Sequence, residues 1–439
     1  MAIESLYENV PLPLLARVRC RYAHRELSDV AGTVWKELEY SGLSGRLKPG
    51  GTVAVGVGSR GISHLPEIVA AVVDWFKKHG TRPFIVPSMG SHGGATSEGQ
   101  KSMLANLGVT EERVGCPVLS DMDARCIGSL KFGHFQDQKV YFDSYALQAD
   151  SIFFVCRVKC HTGFKGPHES GFCKMLTIGF GKQKGAESCH KLGLGVFPEL
   201  MPAMAEFVLG TLPQILGGVG CVEDAYGKTS IVKVALHEDI LAEDARLLRI
   251  AKSYMPSLPL KNLHVLTIDR MGKNISGPGM DPNITGRFIA ECPTDIHINI
   301  VSVHDLTQET EGNANGVGAA DFITRRLFEK CNFNYTYMNC LTGPLVRNAM
   351  IPVMLPHDRA VFSMAVKKGN PFDEDIKVVR IRDTMTLDRF LASPAVLEQI
   401  RDKEEYQILD EPQPVMFRED GAFFDWGEDF WNGSCWTEA

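Results

Sequence analysis

The sequence predicts an α/β protein of two domains, each a largely parallel sheet flanked by helices, on three observations. β-Branched runs such as TVAVGV end in glycine-rich loops, and helix-period runs follow those loops. The chain's 439 residues also exceed the roughly 250–300 at which a single core stops growing. Strand, glycine-rich loop and helix in repetition place ligands outside the carboxyl ends of the strands.

The elements follow in order. Residues 52–57 form a buried strand bounded by Gly50-Gly51 and by Gly58-Ser59-Arg60-Gly61. Residues 65–79 repeat apolar side chains at helical spacing and stop at Gly80. Residues 83–87 (PFIVP) are a second strand, running into Ser88-Met-Gly-Ser-His92-Gly-Gly-Ala95. Thr96 caps a helix that ends before Gly108. Residues 151–155 (SIFFV) are a third buried strand. A helix over 238–253, closed by Pro256 and Pro259, ends a domain of residues 1–255. A strand-like run at 263–268 and further α/β elements at 296–303, 360–366 and 376–381 build a second domain, 256–400. Residues 401–439, rich in aromatics and acids, form a tail expected to pack back on the body.

Composition narrows the function. A net charge of −7 argues against a nucleic-acid surface. The first residues carry Glu4 and Glu8 and no apolar core, unlike a secretory signal. No apolar run reaches the ~18 residues of a membrane span, so a cytoplasmic location is expected. Twelve cysteines without a CxxC pair read as reduced, buried small hydrophobes. No G-x-G-x-x-G follows a strand at the spacing a nicotinamide enzyme needs.

Chemistry concentrates in three places. The Val57-Gly58-Ser59-Arg60 turn offers backbone N–H groups and a guanidinium suited to a phosphate. His92, between glycines at a strand end, suits acid/base work near neutral pH. The stretch HTGFKGPHESGFCKMLTIGFGKQKGAESCH, residues 161–190, holds the rest. Its Lys174 is an amine among Phe172, Met175 and Leu176, followed by a Gly179-Phe-Gly181 turn, and His190 lies 16 positions on. His161 stands near the end of the third strand, with His168 as its competitor. One amine and two imidazoles among small residues are what a covalently tethered, metal-bearing cofactor needs.

This arrangement resembles the lactate racemase family, the nickel-pincer nucleotide 2-hydroxyacid racemases. The matching features are Ser170-Gly171-x-x-Lys174 with His190 at the family spacing, downstream of Arg60 and of Gly90-Ser91-His92. The resemblance implies nickel and a nickel-pincer nucleotide (pyridinium-3,5-bisthiocarboxylic acid mononucleotide) in the cleft between the domains. It implies Lys174 as tether, His190 as nickel ligand, and residues 57–60 as the nucleotide-binding turn. His92 and His161 become the paired acid/base groups. Departures are Val57 for an aspartate, Ser59 for a threonine, and Gly93 for an arginine. The family's Gln and Lys for the substrate carboxylate are missing after Asp281 and Asn283, so Arg287 or Lys273 is expected to replace the lysine. The implied activity is racemisation or epimerisation of a small 2-hydroxy acid, with the cofactor-synthesis enzymes as transient partners and neither nucleic acid nor membrane. Rival readings are a sugar-acid 2-epimerase and a homologue that binds nucleotide or nickel without turnover.

Overall fold

The computed structural model describes residues 3–59, 61–133, 135–341, 346–370, 375–427 and 430–431. Arg60 and Cys435 fall outside them. The chain forms two compact units, Ala23–Met255 and a second that joins Met1–Tyr22 to Pro256–Ala439. Both are mixed α/β with parallel-rich sheets. Among the described residues no single helix is long and apolar enough to cross a membrane.

The Ala23–Met255 unit is built on five strands in the order Arg82–Pro87, Thr52–Val57, Ser151–Arg157, Ile215–Glu223 and Thr229–Leu236. The first four run parallel and the last antiparallel. Parallel strands covered on both faces need continuous apolar runs, and SIFFVC within Ser151–Arg157 is buried at every position. The Leu65–Lys78 helix turns Ile68, Val69, Val72, Val73 and Phe76 inward at helical spacing. Each such side chain contributes roughly 1.5–3 kcal/mol by leaving water. Thr96 caps the Ser97–Asn106 helix, its hydroxyl accepting from the Gly99 N–H. A hairpin of Ala124–Phe132 and Phe135–Asp143 completes the unit.

The second unit holds an eight-stranded sheet. Val353–Leu355, Phe322–Thr324, His297–Val303, Asn262–Ile268 and Val378–Ile381 lie parallel. Arg389–Ala392, Ala16–Cys20 and Tyr406–Ile408 extend it antiparallel. The first 22 residues therefore go with the later part of the chain, because Ala16–Cys20 is hydrogen-bonded on both sides to strands from its far end. Arg17 in that strand is buried and pairs with Asp410 at 2.6 Å. Residues 360–366, one of the expected α/β elements, are the core of the Asp358–Gly369 helix. Phe423, Trp426, Phe430 and Trp431 from the C-terminal segment pack into this unit's core beside Val265 and Phe362.

Candidate functional site

In the Ala23–Met255 unit, three parallel strands deliver their following loops to one end of the sheet. Val57 closes the central strand, fully buried, and leads to Gly58 and Ser59. Pro87 closes its neighbour and leads to His92; Arg157 closes the third and leads to His161. The Ser59 hydroxyl is hydrogen-bonded to His92 Nδ1 at 2.5 Å. His92 itself is exposed. Two of the loops named from sequence are thus joined through their side chains.

The segment that carries Lys174 packs against both of these loops. Phe172–Lys174 is one helical turn, Met175–Gly179 is π-helical, and Lys182–His190 continues as α-helix. Gly179 ends the π-helical turn, Phe180 and Gly181 form the turn expected from the sequence, and Lys182, at φ 53°, opens the next helix. Apolar burial of Met175, Leu176 and Ile178 keeps this segment coiled against the sheet. A π-helical turn is rare and is found mostly at functional sites. Gly90 sits at φ 61° and its N–H donates to the Gly179 carbonyl, 3.1 Å. A side chain at Gly90 would strain the backbone and press on Ile178.

Lys174 and His190 are brought close enough for charge to act between them. Burial lowers the His190 pKa, and the Lys174 ammonium lowers it further. His190 stacks on Phe197, ring centroids 5.6 Å apart and planes 6° from parallel. A half-buried imidazole held neutral is the form that ligates a metal.

Around this pair lie polar groups that the sequence reading left out. Lys182 is fully buried and pairs with Asp143 at 3.0 Å. Its ammonium also donates to the Pro87 carbonyl, 2.6 Å, and to Gln100 Oε1, 3.2 Å. The Gln100 amide in turn donates to the carbonyls of Gly90 and His92, at 2.8 and 3.2 Å. A buried ion pair thus holds the His92 loop from beneath. Burial raises the Asp143 pKa and lowers that of Lys182, and their mutual attraction opposes both shifts. Glu169 is buried. It accepts from the His161 N–H at 2.7 Å and pairs with Lys252, also at 2.7 Å.

The two competing histidines differ in tautomer. The Gly163 N–H donates to His161 Nδ1 at 3.0 Å, which puts the neutral ring's hydrogen on Nε2. His168 does the reverse: its Nδ1 bonds Asp244 Oδ2 at 2.9 Å, leaving Nε2 as the acceptor. Asp244 Oδ1 also takes the Phe172 N–H at 2.7 Å, so one carboxylate fixes His168 and the turn bearing Lys174. A side chain at Gly171 would collide with that carboxylate. Cys173 Sγ lies 3.4 Å from His168 Nδ1. The nitrogen, sulfur and oxygen of His168, Cys173 and Asp244 lie within 4.8 Å of one another, all buried, a donor set able to hold a metal ion. Burial holds the Cys173 thiol well above its ordinary pKa, and the nearby Asp244 adds to the rise.

In the second unit, Arg287 pairs with Asp321 at 2.8 Å and donates to the Ile298 and Asn299 carbonyls. Its guanidinium ties the His297–Val303 strand to Asp321, the residue before Phe322–Thr324. Lys273 Nζ donates to the Gly277 carbonyl at 2.6 Å, closing the turn that follows Met271. All eleven described cysteines are free thiols, eight of them buried.

Residues 56–246 match the model of a family described as a domain of unknown function, DUF362. That span contains His92, His161, Lys174 and His190. No curated protein sequence matches the chain. Among solved structures, a crystal structure of a Thermotoga maritima protein from the Northeast Structural Genomics Consortium is similar with a TM-score of 0.50 and 11% identity. It covers 84% of this chain and 99% of that one. The lactate racemase apoprotein of Thermoanaerobacterium thermosaccharolyticum is similar with a TM-score of 0.43 and 13% identity, over 87% of this chain and 86% of that one. At 11% identity the Thermotoga likeness concerns the fold.

Proposed function

We propose that the chain is a racemase or epimerase of a 2-hydroxy acid that uses a nickel-pincer nucleotide tethered to Lys174. The observation that carries this reading is the pairing of Lys174 with a half-buried, neutral-leaning His190 on a π-helical segment, against the loop of His92. These residues fit the group: an amine for attachment, an imidazole ready to ligate nickel, and glycine-lined loop backbone beside them. When bound, the cofactor supplies a reversible acceptor for the substrate's Cα hydride.

The protein's own part is to hold the acid and to move its hydroxyl proton. His92, exposed and oriented by Ser59, takes the proton from one enantiomer's hydroxyl. A second imidazole serves the opposite face, because each enantiomer presents its hydroxyl to a different side. His161 in its present tautomer presents Nε2–H and stabilises an alkoxide or carbonyl oxygen by donation. His168, backed by Asp244, has the tautomer that removes a proton at Nε2. His168 is buried, however, whereas His161 is half-buried, so access favours His161 as the second acid/base group. For the substrate carboxylate, Arg287, which pairs with Asp321, and Lys273, which donates to the Gly277 carbonyl, are the two residues to test. The residues between Ser59 and His190 serve a small acid and a sugar acid equally, so the epimerase reading shares every step.

The test is mass spectrometry of protein produced together with the cofactor-synthesis enzymes, followed by a chirality assay over a panel of 2-hydroxy acids. An adduct on Lys174 and loss of optical purity in one acid are expected. Protein that carries no adduct while interconverting the enantiomers would remove the tether from the mechanism. An adduct without turnover of any acid would leave a binding protein.

A further inference from the structure

Three donor atoms of different chemistry meet beside the turn that carries Lys174. His168 comes from the loop after the Ser151–Arg157 strand, Cys173 from the Phe172–Lys174 turn, and Asp244 from the Ile240–Tyr254 helix. Their nitrogen, sulfur and oxygen lie within 4.8 Å of one another, and the residues are 8%, 1% and 1% exposed. Cys173 Sγ and Asp244 Oδ2 approach the same ring nitrogen, His168 Nδ1, at 3.4 and 2.9 Å. A catalytic Cys-His-Asp relay needs thiol and carboxylate on opposite ring nitrogens, one to give up a proton and one to hold the ring. Convergence on one point is the arrangement that a cation requires.

Spacing and charge both suit zinc. Bonds of about 2.0–2.3 Å to a tetrahedral zinc put neighbouring ligand atoms roughly 3.3–3.6 Å apart, close to the separations found here. Asp244 is a buried carboxylate whose one ion-pair partner among the described residues is the His168 imidazole; no lysine or arginine there reaches it. Buried charges are paired or coordinate metals, and the double charge of zinc matches one carboxylate and one thiolate. Asp244 Oδ1 accepts the Phe172 N–H at 2.7 Å, which fixes the carboxylate with Oδ2 turned to the other donors. Cys156, buried in the Ser151–Arg157 strand, is near enough for Asp244 to act on its thiol and is the donor at hand for a fourth position.

We propose that His168, Cys173 and Asp244 bind a structural zinc ion that pins the turn bearing Lys174 to the Ile240–Tyr254 helix. Binding sends the Cys173 thiol proton to solvent and moves the imidazole hydrogen from Nδ1 to Nε2, so one proton is released per ion. The site shares no ligand with His190, and the inference holds whatever Lys174 carries.

Metal analysis of the full chain, produced with added zinc but without the cofactor-synthesis enzymes and freed of loose metal by a chelating column, tests it. The parent should carry zinc in a one-to-one ratio. Cys173→Ser and Asp244→Asn should each lower zinc affinity by about a hundredfold or more, since even a group that only supports a ligand costs roughly 10–100-fold. His190→Ala should keep its zinc, which separates this site from the proposed nickel ligand whether or not the racemase reading stands. Parent protein grown on cobalt should show a near-ultraviolet sulfur-to-cobalt charge-transfer band, and Cys173→Ser should lack it. A parent without zinc overturns the proposal, and so does a cobalt-loaded parent without that band, which decides the matter even if a ligand variant fails to fold. Zinc that survives both ligand substitutions, or that is lost with His190→Ala, overturns it equally.

Discussion

His92 and His304 both follow a parallel strand, and their surroundings are opposite. His92 stands in the open, touched at Nδ1 by Ser59. His304 is 1% exposed, with Ser302 Oγ at 3.2 Å from one ring nitrogen and Asp358 at 2.9 Å from the other. The second arrangement has the connectivity of a hydrolytic Ser-His-Asp triad. It cannot serve as one, because Ser302 is fully buried and its hydroxyl donates to Thr267. Arg326 and the Phe423 N–H fill the remaining valences of Asp358. A triad enclosed on every side acts as a polar strut. The lesson is that connectivity among catalytic residue types says little until access is known.

The contrast can be broken most sharply at the ligand-facing side. Lys174→Ala should abolish covalent cofactor attachment and activity together, with a thermal midpoint close to the parent's. Intact mass and a melting curve on one preparation decide this, and a fully active variant defeats the assignment.

His92→Gln should lower kcat by about 10²–10⁴, the usual range for a general acid or base, with the fold intact. His304→Leu should behave in the opposite way. It leaves Asp358 buried without its imidazole and should cost about 3–5 kcal/mol in urea unfolding. If the His304 variant is stable and inactive, the two histidines have been assigned the wrong way round.

The carboxylate beside His304 also sets an acid limit. Burial alone would raise the Asp358 pKa, but His304, the Phe423 N–H and Arg326 hold it well below the ordinary carboxylate range. A lowered folded-state pKa gives stability that is present above the unfolded value, about 3.9. That stability is lost as pH falls through the lowered one. Unfolding followed by far-ultraviolet circular dichroism should therefore show the parent losing stability below about pH 4, and Asp358→Asn a flatter profile there. His190 has a lowered pKa too, so nickel in the loaded protein should stay bound below pH 6.5, the ordinary histidine value. Metal analysis after dialysis at stepwise lower pH checks this, and His190→Ala should hold no nickel at any pH.

The smallest effect belongs to Ser59→Ala. It removes one neutral hydrogen bond to His92, worth about 0.5–1.5 kcal/mol, so kcat should fall by no more than roughly tenfold. A loss as large as that of His92→Gln would mean that Ser59 itself touches substrate.

Much of the sheet around the site was legible in the sequence. Runs such as TVAVGV and SIFFV announce strands because a parallel strand covered on both faces is apolar throughout. The Thr96 cap was legible because its partner, Gly99, is three residues away. What escaped depends on partners far along the chain. Ala16–Cys20 carries Arg17 and Arg19 and looks like a polar segment until Asp410 is beside Arg17. Lys182 looks like a surface residue among Lys182-Gln-Lys184, and only the fold surrounds it with Asp143, Pro87 and Gln100. The turn at Phe180-Gly181 was legible from its glycines, whereas the π-helix before it depends on burial of Met175, Leu176 and Ile178 against the sheet. The choice between His161 and His168 could not be made from spacing, because it turns on access: the fold leaves His161 half-buried and buries His168.

The strand Ala16–Cys20 has a consequence for the order of events during synthesis. Its neighbours, Arg389–Ala392 and Tyr406–Ile408, are made about 370 residues later. At roughly 5–20 residues per second that is a wait on the order of tens of seconds. The Ala23–Met255 unit is continuous in sequence and is complete on the ribosome well before then. An apolar strand left unpaired for so long would invite aggregation. ARVRC, with two arginines in five residues, remains hydrated until Asp410 emerges to take the first of them.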